Sequence, residues 1–209
     1  KYYQHFINQN YEDHMIFSNY GSLLKSVGRL KEAELLLKKA IKLNPDFSIA
    51  HYNLSVIQND LGKLKEAELS SRKAIESNPN FPYSYYHLAN ILVSIGKSEE
   101  AESSLRKAID LNPEFAEAHS NLANILLDLG KLKEAEFFIR KAIKLKHNLP
   151  DSYNILGVIL IGLGRLVEAE ISIGKSISLK PDSPEQYINL ANLFNKTGKT
   201  LEAKNFLFK

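Results

Sequence analysis

Apolar residues recur along the chain at two spacings, one within helices and one between repeats. In the segment that contains His119, Leu122, Ala123 and Leu126, they stand three or four apart, which predicts a helix with one buried face. On the larger scale a glycine recurs every 34 residues, at Gly28, Gly62, Gly96, Gly130, Gly164 and Gly198. Such a fixed period predicts a repeat architecture, and the helical spacing on both sides of each glycine predicts two helices per repeat.

Small residues hold fixed positions in the second predicted helix. An alanine preceded by glutamate follows each glycine by five residues, at Ala33, Ala67, Ala101, Ala135, Ala169 and Ala203. Seven residues further stand Ala40, Ala74, Ala108 and Ala142, with Ser176 in the fifth repeat. These residues let two helices approach closely. The glycine favours a left-handed C-terminal cap, and a proline closes most repeats, although His147 stands at that position in one of them.

The phase of the pattern divides the chain into repeats. They are predicted at 14–47, 48–81, 82–115, 116–149, 150–183 and 184–209, the last one cut short. Residues 1–13 are predicted to be the second helix of a degenerate preceding repeat, because Ile7 and Asn10 align with Ile41 and Asn44. The segment is therefore expected to come from a longer array.

The complete pattern resembles the tetratricopeptide repeat (TPR) family. The family's aromatic position holds Phe17, His51, Tyr85, His119, Tyr153 and Tyr187, and the leucine position three residues later departs only at Tyr20. The resemblance covers essentially the whole chain. It implies an all-α fold, an α-α superhelix or TPR solenoid of 34-residue helix-turn-helix repeats, which binds proteins along its concave side.

Composition excludes several kinds of chemistry. There is no cysteine, and the net charge of +3 is small for a nucleic-acid binder. The longest apolar run, 155–163, is too short to cross a bilayer. Histidines lack the spacing of a zinc helix, and the glutamate pairs recur in every repeat rather than forming one pocket. We expect no catalytic residue, metal or cofactor, no nucleic-acid or membrane partner, no enzyme activity and a cytoplasmic location.

In the TPR family, positions 2, 5, 6, 9, 12 and 13 of each repeat typically face the concave groove, and we call this surface the inner face. The candidate peptide-binding residues there are Asn19, Asn53, Tyr52, Tyr83, Tyr86, His87, Asn90, Asn121, Asn124, Asp128, Asn189 and Asn192. An amide both donates and accepts hydrogen bonds, which suits a peptide backbone. The row resembles the asparagines of the TPR superhelix in O-linked N-acetylglucosamine transferases. An open alternative is that the asparagines bond between neighbouring helices.

Charge and apolar residues extend this interpretation. The inner positions hold five acidic and two basic residues, which predicts an acidic groove that favours neutral to basic peptides. The leading hypothesis is a scaffold that binds an extended peptide segment of another protein. One alternative is the substrate-recognition arm of a larger enzyme such as a glycosyltransferase. Another is a structural array that self-associates through its open ends or through repeat 5, where Ile155, Val158 and Ile161 make the inner face apolar.

Overall fold

A computed structural model of the chain describes residues 12–198, and this range contains eleven α-helices and no strand. The helices are α1 His14–Ser26, α2 Leu30–Leu43, α3 Ser48–Asp60, α4 Leu64–Ser77, α5 Pro82–Ser94, α6 Ser98–Leu111, α7 Ala116–Asp128, α8 Leu132–Leu145, α9 Pro150–Gly162, α10 Leu166–Leu179 and α11 Pro184–Lys196. The predicted all-α fold is confirmed. Of the helix predicted at 1–13, residues 1–11 lie outside the described residues, and Asp13 caps the start of α1. The second helix of the last repeat also lies outside the described residues.

The chain divides into two compact units, residues 1–111 and 112–209. The described part of unit 1 contains the pairs α1–α2, α3–α4 and α5–α6, and that of unit 2 contains α7–α8, α9–α10 and the single helix α11. The two helices of a pair contact each other, and each second helix also contacts the first helix of the next pair in its unit. Each unit is thus a stack of helix pairs.

The recurrent glycines end the first helix of each repeat in the left-handed conformation. At Gly62 φ is +74°, and the six glycines span φ values from 72° to 80°. The Lys63 amide then donates to the Gln58 carbonyl over 2.8 Å, which satisfies a carbonyl in the last turn of α3. A side chain at this φ is strained, so the turn explains the 34-residue glycine period.

Fully buried small residues form the contact between paired helices. Ala33, Ala67, Ala101, Ala135 and Ala169 are 0% exposed, as predicted from their phase. Ser176 is also 0% exposed, and its hydroxyl donates to the Pro150 carbonyl over 2.6 Å. That hydrogen bond explains how a polar residue replaces alanine without leaving a buried group unsatisfied.

The aromatic position of the repeat fixes the turn that precedes its helix. The Nε2 atoms of His51 and His119 lie 2.7 and 2.9 Å from the carbonyl oxygens of Pro45 and Pro113. The Tyr85 hydroxyl donates to the Pro79 carbonyl in the same way, over 3.1 Å. Burial lowers the pKa of His119, which favours a neutral ring. Histidine therefore replaces tyrosine here as a packed ring with a polar tip, as the sequence predicts.

Second helices of consecutive repeats are joined by ion pairs. Glu34 is 6% exposed, and its two carboxylate oxygens accept hydrogen bonds of 2.7 Å from Lys38 and Lys63. These lysines hold the pKa of Glu34 below its ordinary value. Glu136 binds Arg140 and Arg165 in the same arrangement. The partner four residues away follows from helical spacing. The partner 29 residues away is the basic residue that follows the glycine of the next repeat, and spacing within one helix does not predict it.

Candidate functional site

The inner face of each unit lies on the first helices of its repeats. These are α1, α3 and α5 in unit 1, and α7, α9 and α11 in unit 2. Neighbouring first helices within a unit contact one another directly. Side chains at the inner positions of one repeat therefore meet those of the next, and the two inner faces are built from different residues.

Unit 1 carries a group of rings that we call the aromatic cluster: Tyr52, Phe81, Tyr83, Tyr86 and His87. The Tyr52 ring lies edge-on to Phe81 and to His87, with centroids 5.5 and 5.8 Å apart, and Phe81 lies 5.3 Å from Tyr83. Burial raises the pKa of Tyr52, and the phenols of Tyr83 and Tyr86 raise it further. Tyr83 is 45% exposed and presents ring surface to solvent.

His87 supplies the cluster's one imidazole. Its Nε2 atom is buried and has no hydrogen-bond partner within residues 12–198. Burial lowers the pKa of His87, which outweighs the opposing effects of the Ser55 backbone carbonyl and the Asp60 carboxylate, while Lys25 adds to the lowering. The ring is therefore neutral at neutral pH, and one nitrogen is an unused acceptor.

Several inner-face asparagines bond between neighbouring helices. The Asn53 amide donates to the Ser22 hydroxyl over 3.0 Å, which links α3 to α1. In unit 2 the Asn189 amide donates to the Asn154 carbonyl oxygen over 3.0 Å. The Asn154 amide in turn donates to Glu185 over 3.1 Å. For Asn53 and Asn189 the structure supports the alternative role in helix packing. Asn154 was not among the predicted binding residues. The feature that could have identified it is that Asn154 is the single amide side chain in α9, the most apolar of the first helices.

The other candidate asparagines differ from one another in how far their side chains are exposed. Asn19, Asn124 and Asn192 are exposed, and their side chains make no hydrogen bond within the described part of the chain. Asn90 and Asn121 are half-buried. The candidate asparagines thus include amides that join helices and amides that face solvent, because the position in the repeat determines the direction of a side chain but not the identity of its neighbour.

The inner face is less acidic than the sequence predicts. Lys25 lies 3.5 Å from Asp60. Outside the inner positions, Lys146 lies 2.8 Å from Glu117 and Lys180 lies 3.9 Å from Asp151. Both lysines follow second helices and reach back to the first helix of the same repeat, so the predicted acidic surplus is largely neutralised. Asp128 is exposed and forms no ion pair among residues 12–198.

The apolar inner face of repeat 5 is partly covered. Ile155, Val158 and Ile161 are half-buried on α9, and a Cβ at Gly162 would lie 3.0 Å from the Leu132 side chain. Larger apolar exposure lies on the second helices of unit 2, at Phe137, Val167 and Ile171, which are 63%, 75% and 68% exposed.

The described residues contain no group of three or more His, Cys, Asp or Glu side chains that could hold a metal ion. No helix within 12–198 has the length and apolarity that crossing a membrane requires.

Comparison with known proteins adds the family. Family models described as TPR repeat or tetratricopeptide repeat match residues 16–47, 36–68, 72–103, 89–130, 116–149 and 150–183. No curated protein matches the chain. Models of one family thus match the chain from its first described repeat to the end of repeat 5.

Solved structures show the same fold. YrrB, described as a TPR protein with an unusual peptide-binding site, is 24% identical with a TM-score of 0.74, over 89% of this chain and 96% of that one. PilF of Pseudomonas aeruginosa is 21% identical with a TM-score of 0.80, over 93% and 86%. MamA is 23% identical with a TM-score of 0.72, over 80% and 92%. At these identities the similarity establishes architecture alone.

Proposed function

Because this chain belongs to the tetratricopeptide repeat family, we propose that it is a non-enzymatic protein-interaction scaffold that binds an extended segment of a partner protein on an inner face. The observation that carries the proposal is the aromatic cluster of unit 1. Tyrosine rings there expose apolar surface beside a buried acceptor at His87 that has no partner within the described chain. Aromatic surface with a polar tip is typical of protein interfaces.

Exposed amides supply the backbone contacts in this proposal. Asn19, Asn124 and Asn192 each offer a donor and an acceptor to solvent. An extended peptide presents a carbonyl and an N–H at every residue except proline, so such amides hold it without reading its sequence. The similarity to YrrB, whose structure is described as holding an unusual peptide-binding site, supports a peptide as the ligand.

The proposed partner is a neutral to basic segment. Asp60, Glu117 and Asp151 each lie near a lysine, so the remaining charge is small. The exposed carboxylates left to attract a base are Asp128 and Glu185, which accepts a hydrogen bond from the neutral Asn154 amide. Binding is then weakly sensitive to salt, since each exposed ion pair contributes about 0–1 kcal/mol.

Affinity capture with the whole chain, followed by mass spectrometry, identifies the segments that bind. Synthetic versions are then titrated against variants of each inner face. The double variant Asn124→Ala with Asn192→Ala tests the inner face of unit 2, and Asn19→Ala and Tyr86→Ala test that of unit 1. Each lost hydrogen bond costs about 0.5–1.5 kcal/mol, so the affinity of segments that bind the altered face should fall with their ranking unchanged, about tenfold when two bonds are lost. Tyr86→Ala should instead change the ranking.

The matched control is Asn148→Ala, which removes an exposed asparagine outside the inner face. Circular dichroism verifies that each variant is folded. If the folded double variant and the Tyr86→Ala variant bind every captured segment as tightly as the unchanged chain, the inner face is not the binding surface.

A second candidate function is self-association through repeat 5, favoured by the exposure of Val167 and Ile171 one turn apart on α10. Light scattering during size-exclusion chromatography measures the molar mass over a concentration series. Val167→Glu should reverse any association. A monomer at every concentration contradicts this candidate.

A further inference from the structure

We infer that the aromatic cluster of unit 1 is a binding site for an arginine side chain of the partner, an inference that rests on the proposed function and narrows its ligand. The cluster combines ring surface, a buried acceptor and a nearby carboxylate. Each of these features favours a planar cation with several hydrogen-bond donors.

The rings supply the first part of the argument. The faces of tyrosine and phenylalanine attract cations, and guanidinium groups stack on them more often than ammonium groups do. Tyr52 and Phe81 fix the base of the cluster through their edge-on contact, and Tyr83 stands 45% exposed beside them. A side chain arriving from solvent thus meets an aromatic surface that is already in place.

His87 supplies the second part. A neutral imidazole has one acceptor nitrogen, and the buried Nε2 of His87 has no hydrogen-bond partner within residues 12–198. A buried acceptor without a partner carries a desolvation cost that a ligand's donor removes. Arginine carries five N–H donors, whereas proline, leucine and a carboxylate side chain carry none.

Charge supplies the third part. Asp60 pairs with Lys25 over 3.5 Å, and the two side chains are 38% and 39% exposed, so the carboxylate still faces solvent. A guanidinium bound at the rings competes with Lys25 for this carboxylate. An anionic side chain meets the same carboxylate with Lys25 already engaged, so the cluster selects against acids.

The test uses acetyl-arginine amide as the probe and acetyl-citrulline amide as its neutral counterpart of the same shape. Both are titrated into the ¹⁵N-labelled whole chain while the ring nitrogens of His87 are followed by NMR. We expect a saturable shift of Nε2 with the arginine probe. The citrulline probe should bind roughly threefold to thirtyfold more weakly, because it lacks the charge that the rings and Asp60 attract.

Three variants separate the parts of the site. His87→Phe keeps a ring and removes the acceptor, Tyr83→Leu removes an exposed ring, and Asp60→Asn removes the charge. Tyr83→Leu and Asp60→Asn change exposed residues, so these two variants should fold even if His87→Phe does not. In the His87→Phe variant the ring nitrogens can no longer be followed, so probe binding is measured from the backbone amide signals of residues 52–56. Phe137→Leu, an exposed ring on unit 2, is the control and should leave probe binding unchanged.

The inference is overturned if the arginine probe causes no saturable shift at its highest soluble concentration, or binds no better than the citrulline probe. It is also overturned if the Tyr83→Leu and Asp60→Asn variants both bind the arginine probe over the citrulline probe with the same preference as the unchanged chain. If captured segments bind the inner face without preferring arginine, this inference fails while the proposed function stands. If inner-face variants leave all captured segments bound, both fail.

Discussion

The two inner faces differ in how they use their polar groups. In unit 2, Asn189, Asn154 and Glu185 form a continuous chain of hydrogen bonds between α9 and α11. In unit 1 the aromatic cluster holds a buried imidazole nitrogen with no partner in the described residues. The inner face of unit 2 thus joins its helices through a buried amide, Asn154. The inner face of unit 1 instead encloses a ring nitrogen that no described residue satisfies.

This difference shows that the repeat determines position while the side chain determines use. Asn53 and Asn189 both occupy position 6, and both bond to the preceding repeat. His87 occupies the same position in the repeat between Asn53 and Asn121, where it packs on Tyr52 instead. A search for function in repeat proteins should therefore look for positions where a ring or a charge interrupts a row of amides.

The largest expected effect tests whether the scaffold is common to both units. Ala33→Leu in unit 1 and Ala169→Leu in unit 2 each overpack a fully buried contact and should lower the free energy of unfolding by about 1–3 kcal/mol. Denaturant unfolding measures both, with exposed Lys133→Ala as the control, expected within about 0.5 kcal/mol. Clearly unequal costs in the two units would contradict a shared scaffold.

A smaller effect separates the polar groups of the two faces. Asn154→Ala removes a side chain that is 5% exposed and bonded to both Asn189 and Glu185, so it should cost about 1–3 kcal/mol. Asn53→Ala breaks one bond to Ser22 at the surface and should cost about 0.5–1.5 kcal/mol. The same unfolding experiment compares them. An equal or reversed order would mean that unit 2 does not depend on its hydrogen-bond chain.

The smallest effect is a dependence on pH. Burial lowers the pKa of both His87 and His119 in the folded chain, whereas an unfolded imidazole titrates near 6.5. Below that pH the unfolded chain binds protons that the folded chain resists, so stability should fall as the pH falls from about 7 toward 5. His87→Phe and His119→Phe should each flatten the curve of melting temperature against pH. A curve that stays unchanged in both variants contradicts buried neutral rings.

Much of the fold follows from sequence because it depends on local and periodic features. The glycine caps, the buried alanines and the packed rings of His51 and His119 each need one residue type at one phase. A repeat of six copies reveals that phase without ambiguity.

The functional site could be predicted from the sequence less completely than the fold, for a physical reason. Long side chains choose partners in a neighbouring helix, as Lys63 does with Glu34 and Lys146 does with Glu117. Phase predicts the face on which such a residue begins but not where its charged end arrives. Lys146 and Lys180 begin outside the inner positions, yet their charged ends reach Glu117 and Asp151 on the inner face.

The ion pairs between consecutive second helices have a consequence for how such a chain grows. Repeats 1, 2 and 4 each carry a carboxylate that pairs with a base of the next repeat, as Glu34 does with Lys63. A copied 34-residue segment inserted into the array brings both halves of this match with it. Gene duplication can therefore lengthen the protein without any compensating mutation at the new junction, and inner-face residues are then free to diverge.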